Sequence, residues 1–283
     1  MNAFAPVLDH SISRPCETAV LRVLSLGAGV QSVTLAHMSA RGELPMLDAA
    51  FFADTGDEKR ATYRHLDWLQ DQLPFPLIRV RRPGPTLAEL TLAVARGERP
   101  HSGSPLPPLY LRDPDGMAAK QCNAEFKRDV VTRAVRALMK ERSIKLKRGQ
   151  PIVEMWVGFS TDELERLADH RKQYIQHRFP LIERRMNRHD CKRWLELRQL
   201  PIPPKSSCVY CPYQGDGQWL DMKENEADDD WQRAVMFDEG VRPYHAGATG
   251  TAYVHRSGRP LAEVKLERLP DLFLNDCSGH CGT

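Results

Sequence analysis

The sequence contains no apolar run approaching the ~20 residues needed to cross a bilayer, so a membrane partner is not expected. Residues 1–20 lack a basic start followed by an apolar core, which argues against a secretion signal and for a loose tail on a cytoplasmic protein. Neither charge is in strong excess. The 40 Lys and Arg residues face 37 Asp and Glu, a formal net charge of +3, too small to mark a polyanion binder by bulk charge. GxxxxGK[ST] is absent and so is GxGxxG, which excludes the two commonest phosphate-loop fingerprints. The cysteines number seven; an odd count without an export signal argues against a disulfide framework and for metal or redox use. A chain of 283 residues can bury a large core, as one domain with additions or one domain plus a small second one.

What is present centres on residues 21–38, LRVLSLGAGVQSVTLAHM. A short apolar run reads as a buried strand. Gly27-Ala28-Gly29 permits positive φ or a close ligand approach, and Gln31-Ser32 opens an apolar-periodic helix that stops near Gly42. Strand, glycine turn and helix N-terminus make an arrangement that binds phosphate through free backbone N–H groups and the positive end of the helix dipole. Ser25 and Ser32 add hydroxyls at the edges of the turn. A turn using glycine for sterics alone would read the same over this stretch.

Strands are expected at residues 46–53, 76–80 and 152–159, with helices at 60–73, 86–96, 120–142 and 188–197. This alternation predicts an α/β fold, a mostly parallel sheet with helices on both faces. Ligands then sit at the carboxyl ends of the strands, which puts the turn after Leu26 and the 54–58 turn on one rim. Residues 82–121 are rich in proline and irregular beyond the 86–96 helix, the character of a lid or a disordered segment, with the lid preferred. The basic run 140–148 reads as a solvated face, with nucleic-acid contact as the alternative. Arg166, His170, Arg171 and Lys172 follow the strand end at Gly158–Glu163 as a cationic stripe suited to sulfate, phosphate or a nucleic-acid backbone. Residues near Tyr253–His255 and Pro260-Leu261 read as a hairpin.

SLGAGVQS followed by FADTGDE resembles the pyrophosphatase-loop superfamily of adenine nucleotide α-hydrolase-like proteins, and within it the phosphoadenylylsulfate (PAPS) reductase family. The resemblance covers roughly residues 21–213. It implies binding of ATP or phosphoadenylylsulfate by Ser25, Gly27, Gly29, Gln31, Ser32, Asp54, Thr55, Gly56 and Lys127, with Asp54 facing ribose or Mg²⁺. Members that use ATP carry SGGxDS; here the loop is one residue longer and Gln31 stands in place of the aspartate, closer to the reductase branch.

Cys208-Val209-Tyr210-Cys211 is the strongest chemical signal downstream, because a tight turn over two residues aims both sulfurs at one point. Alone it suits a redox pair or half a zinc site equally. With Cys122 and Cys191 the count fits a [4Fe–4S] cluster or a Cys₄ zinc. The family layout of a cysteine before the nucleotide-binding lysine plus a downstream CxxC matches Cys122, Cys208 and Cys211. Cys191 is chosen as the fourth ligand by position, and cluster-bearing relatives have adjacent cysteines where this chain has Cys122 alone. In the tail, Cys277, His280 and Cys281 loosely resemble the relatives' nucleophilic cysteine, which makes Cys277 and Cys281 the candidate catalytic thiols.

The expected organisation is a flexible tail at 1–20, a nucleotide-binding α/β domain at 21–200 and a CxxC-containing, cysteine-bearing C-terminal extension at 201–283. The expected function is an ATP pyrophosphatase that adenylates an acceptor for sulfur transfer with an iron–sulfur cluster. One alternative is a PAPS or adenylylsulfate reductase releasing sulfite; another is a non-catalytic, zinc-containing nucleic-acid-binding module. A tRNA or DNA acceptor and a homodimer are the partners considered alongside the nucleotide.

Overall fold

The computed structural model describes residues 13–100, 106–113, 115–118, 121–243 and 251–268. In chain order the elements are β1 (Leu21–Ser25), α1 (Val30–Ala40), β2 (Ala49–Asp54), α2 (Arg60–Gln72), β3 (Leu77–Arg81), α3 (Leu87–Ala95), β4 (Tyr110–Arg112) and β5 (Gly116–Met117). Then follow α4 (Asp129–Glu141), β6 (Val153–Val157), β7 (Ile175–Arg178), α5 (Pro180–Glu183), α6 (Arg188–Glu196), α7 (Asp216–Glu224), α8 (Asp230–Gly240) and β8 (Thr251–Tyr253). Five strands form one sheet in the order β3-β2-β1-β6-β7, and β5, β4 and β8 form a second, small one. The pairings of β1 with β2, β1 with β6, and β6 with β7 are all parallel. The fold is α/β, as the alternation predicts.

Two compact units share the chain: Met1–Phe52, Trp68–Ile78 and Arg133–Pro204 form the first, and Ala53–Asp67, Arg79–Thr132 and Lys205–Thr283 the second. In the first unit β1 and β6 are buried for the reason parallel strands usually are: helices cover the sheet, so the strands read as nearly continuous apolar runs. All five residues of β6 (VEMWV) are buried. Helix α1 is buried along most of its length and packs on α5 and α6.

One residue of β6 breaks the apolar run. Glu154 has no exposed surface, and an unpaired carboxylate there would be costly. Its Oε1 accepts from Trp156 Nε1 at 2.6 Å, Arg22 Nε at 2.9 Å and Arg178 Nη1 at 3.3 Å, and its Oε2 accepts from the backbone N–H of Cys16 at 2.6 Å. Burial pushes its pKa up, but these donors and the two guanidiniums outweigh burial and hold it below the usual range. The carboxylate thereby ties β1, β7 and the segment before β1 to the middle of β6.

The second unit has its own core, in which Phe126, Tyr210, Trp219, Ala234 and Phe237 are joined by Leu106 and Leu109 from the proline-rich stretch. That stretch carries β4 and β5 rather than an uninterrupted loop. The expected hairpin is not formed: β8 pairs with β4 instead. Asp238 gives the reason, because its carboxylate accepts from both Val254 N and Leu261 N at 2.9 Å and occupies donors that a hairpin would use. Among the described residues no helix is long and apolar enough to cross a membrane.

Replacing Arg178 by Met should destabilise the protein by about 3–5 kcal/mol, the usual cost of breaking a buried ion pair by removing one partner. Urea unfolding measures it. A loss below about 1 kcal/mol would show that Arg22 and the neutral donors suffice for Glu154.

Candidate functional site

In an open parallel sheet the ligand crevice opens at the carboxyl ends of the strands, where the strand order reverses. In the order β3-β2-β1-β6-β7 that point lies between β1 and β6. Two loops of the first unit leave from there. One is the glycine turn after β1, and the other follows β6.

In the first loop the left-handed residue is Ala28, at φ 57°, not either flanking glycine. Gly29 is the N-cap of α1 with extended backbone, and no side chain caps the helix. The first turn carries no acidic residue. Val33 N bonds back to Gly29 O, while the N–H groups of Val30 and Gln31 find no acceptor among the described residues. The Ser32 hydroxyl is turned inward and donates to Gly29 O at 3.2 Å. Ser25 closes β1, and Gly27 precedes the strained alanine.

The second loop begins at Gly158. A Cβ there would lie 2.9 Å from Ser32 N and 3.0 Å from its Cα, so only glycine lets β6 end this close to the first turn of α1. Gln31 bridges the two loops: its Nε2 donates to Glu163 Oε2 at 3.0 Å and to Ser160 Oγ at 3.4 Å, and its Oε1 accepts from Arg188 Nη1 at 3.4 Å. Glu163 is ion-paired with Arg166, whose guanidinium lies 4.2 Å over the Phe159 ring. Burial raises the Glu163 pKa despite the charges of Arg166 and Arg188. Asp162, at the start of this loop, accepts from Arg188 N at 2.9 Å. The result is an open helix N-terminus with two arginines held one side chain away, an arrangement suited to a multiply charged anion. Sequence reading flagged Arg166 as part of a cationic stripe, but the ties of Gln31 to Ser160, Glu163 and Arg188 span more than a hundred residues and leave no local signal.

The second unit holds the turn after β2. Asp54 Oδ1 accepts from Tyr63 Oη at 2.7 Å and Gly56 N at 2.8 Å, and its Oδ2 accepts from Arg81 Nη2 at 2.8 Å. Burial pushes the Asp54 pKa up, and these three donors bring it below the usual value. Gly56 sits at φ +90°, with a would-be Cβ 2.7 Å from Thr86 Cγ2. Thr55 Oγ1 is 3.2 Å from Cys208 Sγ. Next to it, Glu58 is fully buried, accepts from Ser206 Oγ at 3.2 Å and lies 3.7 Å from Lys127 Nζ. Lys127 is carried on a π-helical turn, Ala124–Arg128, a local distortion often found at functional sites.

Of the metal candidates, Cys122, Cys208 and Cys211 belong to the second unit and Cys191 to the first. Cys208 is buried, which raises its pKa well above the ordinary thiol value; Cys122 and Cys211 are half-buried. Cys191 is buried and its thiol is pushed up to about 12 by that burial. Among the described residues no group of three or more Cys, His, Asp or Glu side chains stands ready to hold a metal ion. Cys277 and Cys281 lie outside the described residues.

No protein-family model matches the chain, and no curated protein matches it. Among solved structures it is similar to a phosphoadenylyl-sulfate (PAPS) reductase from Candida auris, in a phosphate complex, at 13% identity and a TM-score of 0.41. That match covers 69% of this chain and 78% of the other.

Tyr63→Phe removes a hydrogen bond to a charged acceptor and should lower stability at pH 7 by about 1.5–3 kcal/mol. Because folding depresses the Asp54 pKa, its stabilising contribution is present above the ordinary value of 3.8 and is lost as pH falls below it. The gap in urea midpoint between wild type and variant should therefore close on acidification towards pH 2. A gap independent of pH would mean that Tyr63 acts by packing alone.

Proposed function

We propose that this chain is an enzyme that binds an adenine nucleotide by its phosphates at the 25–32 loop and cleaves it between the α and β phosphates. The observation that carries the reading is the uncapped start of α1. Two other helices carry full side-chain caps, while α5, α7 and α8, like α1, have none. Thr86 and Glu89 form a reciprocal capping box on α3, and Asn187 and Asp190 form another on α6. Such caps stabilise a helix by about 0.5–2 kcal/mol, and α1 forgoes one at the reversal point of the sheet. Amides left without an acceptor there suit a phosphate ligand.

In this reading the amides of Val30 and Gln31 hold the β and γ phosphates. Arg166 and Arg188 supply positive charge, with Glu163 balancing them while the site is empty. An acceptor oxygen attacks the α phosphorus, the bond to the bridging oxygen breaks, and pyrophosphate leaves with its new charge held at the helix N-terminus. The adenylated acceptor is then open to displacement of AMP by sulfur, the reaction that the family resemblance of SLGAGVQS and FADTGDE suggests. Gln31 supports a second reading. It is neutral and brings no carboxylate for Mg²⁺, which accords with a reductase acting on phosphoadenylylsulfate, with Cys277 or Cys281 as the attacking thiol.

Products separate the two: pyrophosphate and AMP from ATP, or sulfite from phosphoadenylylsulfate. The loop itself is tested by Gly29→Asp. Gly29 has φ −95°, and a Cβ there meets nothing within 4 Å, so the backbone accepts the change. Aspartate is a favoured N-cap, so the variant should gain about 0.5–2 kcal/mol in stability. Its carboxylate would occupy the same amides, so affinity for ATP and pyrophosphate, read by calorimetry, should fall at least about tenfold. Unchanged affinity in a stabilised variant would remove the loop from the phosphate site.

A further inference from the structure

The Cys208–Cys211 turn of the second unit has no role in the phosphate chemistry above, yet its backbone is tied down from several sides. Cys211 N bonds to Cys208 O at 3.0 Å, closing a four-residue turn. Such a turn keeps its end Cα atoms within about 7 Å, and a disulfide spans Cα separations of about 4.4–6.8 Å. The two residues between are pinned from outside. Val209 N donates to Asp57 O at 2.8 Å, and Tyr210 Oη donates to Asp57 Oδ2 at 2.8 Å. The Tyr210 ring stacks on Phe237 with centroids 3.7 Å apart, and Gln214 Nε2 donates to Val209 O at 2.9 Å. Neither cysteine is joined in a disulfide among the described residues.

The two sulfurs differ in access. Cys208 is buried, with Thr55 Oγ1 at 3.2 Å and the buried Glu58 paired to it across an isolated β-bridge. Cys211 is half-buried. A shielded sulfur followed three residues later by a more accessible one is the division of labour that thiol–disulfide exchange requires.

We propose that Cys208 and Cys211 are a two-electron dithiol pair that exchanges with small-molecule disulfides. The Cys211 thiolate attacks one sulfur of an external disulfide, forming a mixed disulfide and expelling one thiol. The Cys208 sulfur, giving up its proton, then attacks Cys211 Sγ, closes the intramolecular disulfide and expels the second thiol. Two protein thiols are oxidised, and one external disulfide is reduced to two thiols.

The test uses the full-length chain, purified anaerobically, analysed for iron and zinc, incubated with oxidised glutathione, blocked with an alkylating agent and mapped by peptide mass spectrometry. A Cys208–Cys211 bridge is expected, with the buried Cys16 and Cys191 alkylated only after unfolding. Cys208→Ser should retain glutathione on Cys211, because the resolving thiol is gone. Cys211→Ser should leave Cys208 unmodified. The wild-type map decides the matter even where a serine variant fails to fold. A bridge to Cys122, Cys277 or Cys281, two unreacted thiols, or stoichiometric iron or zinc held by the pair would each overturn the proposal.

Discussion

A carboxylate with no exposed surface in the centre of a parallel sheet is the constraint on which the first unit depends. Glu154 can stay ionised there only if charge and hydrogen bonds reach it from several directions. Arg22 comes from β1 and Arg178 from β7, one neighbouring strand on each side of β6. The backbone of Cys16 closes the remaining side. None of these groups is useful in another register, because a one-residue slip would turn Glu154 to the opposite face of the sheet. The network therefore specifies register as well as adding stability, and it fixes where β1 and β6 end. Both loops of the candidate phosphate site start from those ends.

The second unit meets the same problem with weaker counter-charge. Asp57 and Glu58 follow the β2 turn into its core, and burial raises the Asp57 pKa in spite of the Tyr210 hydroxyl, the Ala88 amide and Arg233. Lys59, the next residue, is buried too and is pushed down to about 8, chiefly by burial and then by the charge of Lys205. Three successive ionisable residues in one core are costly to keep. Two of them are held by hydrogen bonds from distant parts of the chain: Asp57 by Tyr210 and Ala88, and Glu58 by Ser206. The CxxC turn takes its rigidity from the same contacts.

Much of this was legible in the sequence because it is written locally. The apolar run at 21–25, the helix that follows and the buried strand ending in Asp54 each carry their own period, and each formed within a few residues of expectation. Gly27 and Gly29 marked the turn correctly, although the strained position is Ala28, whose methyl gives no warning of positive φ. The misread hairpin has a different cause. Two strand-like segments near 253 and 261 suggest each other, but a carboxylate on α8 takes their donors. Nothing in either segment encodes that. The proline-rich stretch hid β4 and β5 because proline and glycine signal irregularity, while its leucines were quietly core residues.

Gly158 joins the two levels. A parallel strand and the first turn of a helix from another loop normally stand a side chain apart; here a Cβ would overlap the Ser32 backbone. The closeness lets Gln31, one residue earlier, reach Ser160 and Glu163, and through Arg188 it draws in the start of α6. A charged residue at position 31 could not serve all three at once. An aspartate would attract Arg188 but repel Glu163, and a lysine would do the reverse. The carboxamide offers a donor to the carboxylate and an acceptor to the guanidinium, so it holds both charges beside the helix without adding one. The positive potential at the α1 N-terminus thus comes from the amides and the arginines, and Gln31 fixes their spacing while remaining neutral.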